Sequence, residues 1–283
     1  MTAANGIEHQ VGPVQTALRR CGTNVAAAIT IVLRPAHVRG RRAWPLTGQQ
    51  LAIAFGLAAL IFLAVMLLLD AATVNGVGRL PQWIAWSFDQ ITDFGKSGWF
   101  LWPLGVLFLG LAALPSLPRL PQLVLAGIMV RVGFLFLAIG APSLFDTIIK
   151  RMIGRARPLV GGSLDPYLFS PFKWTADYAS LPSGHATTAF AALVAFGTLW
   201  PRARPVMWIY ALLIATSRVV LTAHYPSDVL AGAAVGMTGA LLVRRWFALR
   251  RLGFSVTPVG AIRQLPGPSL KRIKAVARAL LSE

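Results

Sequence analysis

Nineteen residues in unbroken succession, LAIAFGLAALIFLAVMLLL from Leu51 to Leu69, carry no charge. A run of that length crosses the hydrocarbon of a bilayer as a helix, which satisfies all of its own backbone N–H and C=O groups there. Five further stretches read as spans: about Gly98 to Leu114, with Trp99 and Trp102 as interfacial anchors; about Leu120 to Leu144; His185 to Trp200, closed by Pro201; about Pro205 to Thr222; and about Pro226 to Val243. The chain of 283 residues is 56% hydrophobic and 13% charged, more apolar sequence than a water-soluble core of this length needs. The expected fold class is all-α, a polytopic membrane protein with six transmembrane helices in one bundle. No soluble domain or internal repeat is evident.

The formal net charge of +18 does not point to nucleic acid, because Lys and Arg gather in the two tails and in short connectors. Eighteen of them fall on the side of the tails and eight on the other. The positive-inside rule therefore puts both tails in the cytoplasm and the loops after the first, third and fifth spans outside it. Residues 1–48 are expected to form a basic cytoplasmic tail with an interfacial helix at NVAAAITIVL. This is no signal peptide, since the run is short and Arg34 stands where a small-residue cleavage site belongs. Residues 49–246 form the six-helix domain and residues 247–283 a second basic tail. There SLKRIKAVARALL has apolar residues at 270, 273, 276, 277, 280 and 281, the pattern of a basic amphipathic helix on the inner leaflet. A solvated tail without structure is the alternative. The single cysteine, Cys21, excludes an intrachain disulfide and a cysteine zinc cluster. Arg131, inside the third span, must face the bundle or snorkel, and the sequence names no partner for it.

Three polar clusters fall on one face whichever way the bundle is inserted, and with the tails in the cytoplasm that face is the outer one. KRMIGRARP, Lys150 to Pro158, follows the third span; PSGH, Pro182 to His185, opens the fourth; SRVVLTAHYPSD, Ser217 to Asp228, ends the fifth and opens the sixth. Ser183 stands at an N-cap, and the first N–H groups of the fourth helix lack intrahelical partners, so with the helix dipole they favour a phosphate. Gly184 lets an anion approach that backbone. Lys150, Arg157 and Arg218 supply three positive charges for phosphoryl oxygens. Asp228, in the first turn of the sixth helix, is expected to accept the proton-bearing nitrogen of His224, leaving the other free to attack, while His185 protonates a departing alkoxide. Each cluster alone has an ordinary reading: a helix cap, a headgroup-binding loop, an interface histidine. Asp146 reads equally as the helical ion-pair partner of Lys150.

Together, K-x6-R-P (Lys150, Arg157, Pro158), P-S-G-H (Pro182 to His185) and S-R-x5-H-x3-D (Ser217, Arg218, His224, Asp228) resemble the three-part signature of the type 2 phosphatidic acid phosphatase superfamily, in its bacterial membrane branch. The resemblance implies a phosphohistidine on His224, oriented by Asp228, with His185 as acid and then base. It also implies Lys150, Arg157, Ser183, Gly184 and Arg218 around the phosphoryl group, and no cofactor or metal. Arg151 and Arg155 lie outside the signature and are expected to be solvated or to meet a second phosphate. The implied partners are the bilayer and a lipid phosphate or pyrophosphate, of phosphatidic acid, phosphatidylglycerophosphate, undecaprenyl pyrophosphate or lipid A type, met at the periplasmic face of a bacterial inner membrane. A lipid phosphotransferase or a phospholipid transporter remains open, and no nucleic-acid partner is expected.

Overall fold

The computed structural model describes residues 12–37, 46–115, 118–162, 164–258 and 260–281. Their chain order is α1 (Pro13–Leu33), α2 (Gly48–Leu68), α3 (Asp70–Val77), α4 (Gln82–Thr92), α5 (Gly98–Ala113), α6 (Arg119–Ile153), α7 (Gly184–Leu199), α8 (Arg204–Val220), α9 (Pro226–Leu249), a hairpin of β1 (Phe254–Val256) and β2 (Ile262–Gln264), and α10 (Leu270–Leu281). Five stretches are long and apolar enough to cross a membrane: α2, residues 82–113, α6, residues 201–220 and α9. The chain is a multi-pass, all-α membrane protein with one small hairpin.

The remaining expected span, α7, is only 16 residues long. At the helical rise it covers about 24 Å, short of the roughly 30 Å of hydrocarbon. It has no need to face lipid, because most of its residues are buried among α6, α8 and α9. Close approach makes this possible. A Cβ on Gly232 would lie 2.4 Å from the Ser183 carbonyl oxygen, and one on Gly236 would lie 2.2 Å from that of Thr187. The G-x3-G spacing thus lets α9 touch the backbone of α7, as small residues do between membrane helices. In contrast, α2 has no buried residue; its side chains are apolar all round, and a capping box between Thr47 and Gln50 starts it.

Two boundaries differ from those expected. The third span does not stop near Leu144 but continues as α6 to Ile153, because Asp146 and Lys150, one turn apart, neutralise each other and Gly154 ends the helix in a left-handed conformation. Residues 82–92, ahead of the second span, form α4, with Trp83 and Trp86 exposed.

At the opposite end of the bundle the C-terminal segment packs against α6 and α9. Phe254 is buried with its ring 4.8 Å from that of Phe134, and α10 contacts α6. This fold-back supplies the partner Arg131 lacked: its guanidinium donates to the carbonyls of Gly127 (2.8 Å) and Leu265 (3.0 Å). The expected interfacial helix is α1, longer than the run NVAAAITIVL. It lies across this end, with Asn24 donating to the carbonyl of Ala112 at the end of α5 (2.8 Å), and Trp246 near the end of α9 donating to that of Val32 (2.9 Å).

Candidate active site

The last turn of α6, the first of α7, the last of α8 and the first of α9 meet at one end of the bundle. Lys150 projects from the last turn of α6 and is ion-paired to Asp146 at 2.6 Å. The pair sits against the start of α7, since a Cβ on Gly184 would meet both Lys150 Nζ and Asp146 Oδ2 at 3.0 Å. Lys150 is therefore a half-neutralised cation held at a helix N-terminus, not one of three free charges. Gly154 then turns the chain sharply, with φ +64°, and a Cβ there would fall 1.9 Å from the carbonyl oxygen of Ser170. After the turn, Ser170 N–H donates to the Gly154 carbonyl (2.7 Å) and Ala156 N–H to that of Leu168 (2.9 Å), and Arg157 is tied by its own N–H to the carbonyl of Asp177 (2.7 Å).

Ser183 occupies the N-cap position of α7 but its hydroxyl caps nothing. Its N–H donates to the carbonyl of Asp228 (3.0 Å), locking the starts of α7 and α9 together. His185, one residue into the helix, packs on Gly95, where a Cβ would lie 2.8 Å from its ring. Arg218, in the last turn of α8, is 8% exposed and donates from Nη1 to Thr92 Oγ1 (2.6 Å). Thr92 also accepts from Ser217 (3.0 Å), so the end of α4 buttresses this arginine.

His224 is buried in the turn between α8 and α9. Its Nδ1 is bonded to the carbonyl of Ser180 at 2.8 Å, while Asp228 Oδ2 stands 3.8 Å away, beyond hydrogen-bonding reach. The acceptor is thus not the carboxylate the sequence suggested. A carbonyl can only accept, so the proton resides on Nδ1 and Nε2 keeps its lone pair. Burial lowers the His224 pKa from its ordinary value, more than the nearby Asp228 carboxylate raises it.

Asp228 is engaged elsewhere. It accepts from Ser180 Oγ (2.6 Å), from Tyr225 N–H (2.9 Å) and from Arg155 Nη1 (2.6 Å). Arg155 is not solvated but fully buried. It pairs with Asp70 at the start of α3 (2.7 Å), donates to Ser227 Oγ (2.7 Å) and the Pro166 carbonyl (2.9 Å), and lies 4.4 Å over the Tyr225 ring. Asp70 also accepts from the backbone N–H (2.9 Å) and the hydroxyl (2.5 Å) of Ser227. Arg155, Asp70 and Thr92 are supports the sequence reading missed. The available signal was charge: an aspartate directly after the first span and an arginine two residues before Arg157 fall on one membrane face. Arg151, also outside the signature, donates to the carbonyl of Thr175 (2.8 Å).

What the arrangement can do follows from its loose ends. Arg157 Nε, Ser183 Oγ, His185 Nε2 and Arg218 Nε are all buried without a hydrogen-bond partner among the described residues. Unpartnered buried polar atoms are costly and rare, and four among eight expected site residues mark a place for a ligand rich in acceptors. The charges of Arg218, Lys96 and Lys150 act on His185, and those of Arg218 and Arg157 on His224, so the groups share one locality. Three of the four orphaned atoms are donors, beside a helix N-terminus, which suits a tetrahedral anion.

The pattern of the PAP2 superfamily matches residues 131–252, which include all of these site residues. The chain is 35% identical over 197 residues to a lipid A 1-phosphatase of Rhizobium johnstonii, a match covering 69% of this chain and 80% of that protein. It is 31% identical over 185 residues to a decaprenylphosphoryl-5-phosphoribose phosphatase of Mycobacterium tuberculosis, covering 64% of this chain and 87% of that protein. It is also similar to the crystal structure of a transmembrane PAP2-type phosphatidylglycerolphosphate phosphatase from Bacillus subtilis, with 21% identity and a TM-score of 0.46 over 66% of this chain and 92% of that one.

Proposed function

This chain belongs to the PAP2 superfamily, and from that premise we propose that it is a membrane lipid phosphatase that removes a phosphate monoester or pyrophosphate group through a phosphohistidine on His224. The observation that carries the reading is the set of four orphaned polar atoms near a histidine whose Nδ1 is held by the Ser180 carbonyl, so that the lone pair of its neutral ring lies on Nε2. In the first step Nε2 forms a bond to phosphorus as the bond from phosphorus to the lipid oxygen breaks, and His185 gives its proton to that oxygen. Arg157, Arg218, Ser183 and the first N–H groups of α7 hold the three non-bridging oxygens, where charge stabilisation and positioning do most of the work. In the second step His185 takes a proton from water, the water oxygen attacks phosphorus, and the N–P bond returns its electrons to Nε2.

Asp228 acts through the field of its carboxylate at 3.8 Å, and Ser180 fixes the ring. The cations of this chain neutralise the phosphoryl group in place of a metal. The site faces the periplasm of a bacterial inner membrane and both tails lie in the cytoplasm, a reading supported by the eighteen-to-eight bias of Lys and Arg. Similarity to the lipid A 1-phosphatase makes lipid A type phosphates the first substrates to test.

The test is phosphate release by purified protein from a panel of lipid phosphates and pyrophosphates. His224→Ala is expected to lower the rate by about 10³-fold or more, and EDTA to leave it unchanged. Wild-type turnover in His224→Ala would end the phosphohistidine reading, and collapse on EDTA would end the metal-free one.

A further inference from the structure

The end of the bundle opposite the candidate active site holds a cavity of about 740 Å³ between α1, α5 and α6. Val32, Phe108, Leu109, Met129, Phe136 and Leu252 are among its walls, and its volume is in the range of cavities that enclose small apolar ligands. The wall residues Val32 and Leu33 lead directly into Arg34, and Leu252 follows Arg250 by two residues. These two arginines meet: Arg34 Nη2 donates to the carbonyl of Arg250. Arg250 is 6% exposed, its guanidinium 3.5 Å over the Trp246 ring. Arg250 Nη1 donates to the carbonyl of Trp246 (3.3 Å), but among the described residues the Nε atoms of both arginines are buried without a partner and no ion pair reaches either side chain.

Arg34 and Arg250 are thus in contact, and each keeps a buried charged Nε donor that no described residue accepts from, which calls for an anion. The chain-sized apolar space beside them, in a protein that crosses a bilayer, selects its kind. A free phosphate would leave the cavity unfilled, and a zwitterionic lipid would bring no net negative charge to two cations. We propose that this is a binding site for an anionic glycerophospholipid, with an acyl chain in the cavity and the headgroup phosphate on Arg34 and Arg250. The site is separate from the catalytic one and does not depend on the reaction proposed above.

Native mass spectrometry and thermal melting of the detergent-purified chain, with added dioleoyl phosphatidylglycerol or dioleoyl phosphatidylcholine and excess orthovanadate to occupy the catalytic site, test this. The wild type is expected to hold phosphatidylglycerol at least about tenfold more tightly than phosphatidylcholine and to melt at higher temperature with it. That preference should vanish in Arg34→Gln/Arg250→Gln, while Ala28→Phe, which fills the cavity, should weaken both lipids. Equal retention of the two lipids by the wild type overturns the proposal, as does unchanged phosphatidylglycerol affinity in the arginine variant. If that double variant does not fold, Arg34→Gln alone and Ala28→Phe decide by the same readings.

Discussion

The surroundings of His224 hold a buried imidazole in one tautomer. Its Nδ1 proton is held by the Ser180 carbonyl, and burial keeps its pKa below the ordinary value of about 6.5. The neutral ring is therefore present at pH values where a free histidine is protonated. The acid limb of kcat/KM, which reports the free protein, is expected below about pH 6.5. A limb above that value would remove His224 as the attacking group. The same shift affects folding: as pH falls through about 6.5 the unfolded chain takes up the proton first, so stability is full above that point and declines below it. Arg155 exerts its influence differently, by pairing with two buried carboxylates at once. Arg155→Met should destabilise the protein by about 3–5 kcal/mol, because Asp70 and Asp228 are then left unpaired, and Asp70→Asn should cost less. Melting in detergent checks both; equal, small shifts would mean that water already reaches the carboxylates.

At the scale of elements, the helix pair α7–α9 does the positioning. Its two glycines bring the Ser183 N–H onto the Asp228 carbonyl, and hence the N-terminus of one helix onto the histidine turn of the other. Gly236→Ala is expected to cost about 1–3 kcal/mol by overpacking. Gly56→Ala on α2, where a Cβ meets nothing within 4 Å, should cost nothing; melting temperatures compare the two. This scale also explains what the sequence made legible. Apolar runs located a helix at each of the six expected positions, five of them in stretches long and apolar enough to cross a membrane, and the spacing of the three clusters pointed to eight candidate site residues. Hydropathy failed where charges cancel locally, so the last two turns of α6 were missed. It was also silent where partners are remote: Arg155 and Asp70 are 85 residues apart, Arg218 and Thr92 126 apart, and no periodicity encodes such pairs. Arg131 stayed unexplained because its acceptor belongs to a segment read as tail.

The whole molecule has two unlike ends. One gathers two histidines and a set of cations around a place for an anion; the other is wrapped by α1, the hairpin and α10. If the first end faces the periplasm, an impermeant maleimide added to intact spheroplasts should label Trp174→Cys and spare Arg272→Cys, both in a Cys21→Ser background. The reverse pattern would invert the proposed orientation. The contacts of Arg155 also bear on how the protein matures. Synthesis runs from the N-terminus, so Asp70 and Arg155 emerge well before Asp228, and a growing chain holds the Asp70–Arg155 pair with the second acceptor of the guanidinium still missing. Docking of α9 then brings Asp228 onto that guanidinium and closes the turn that carries His224 in the same step.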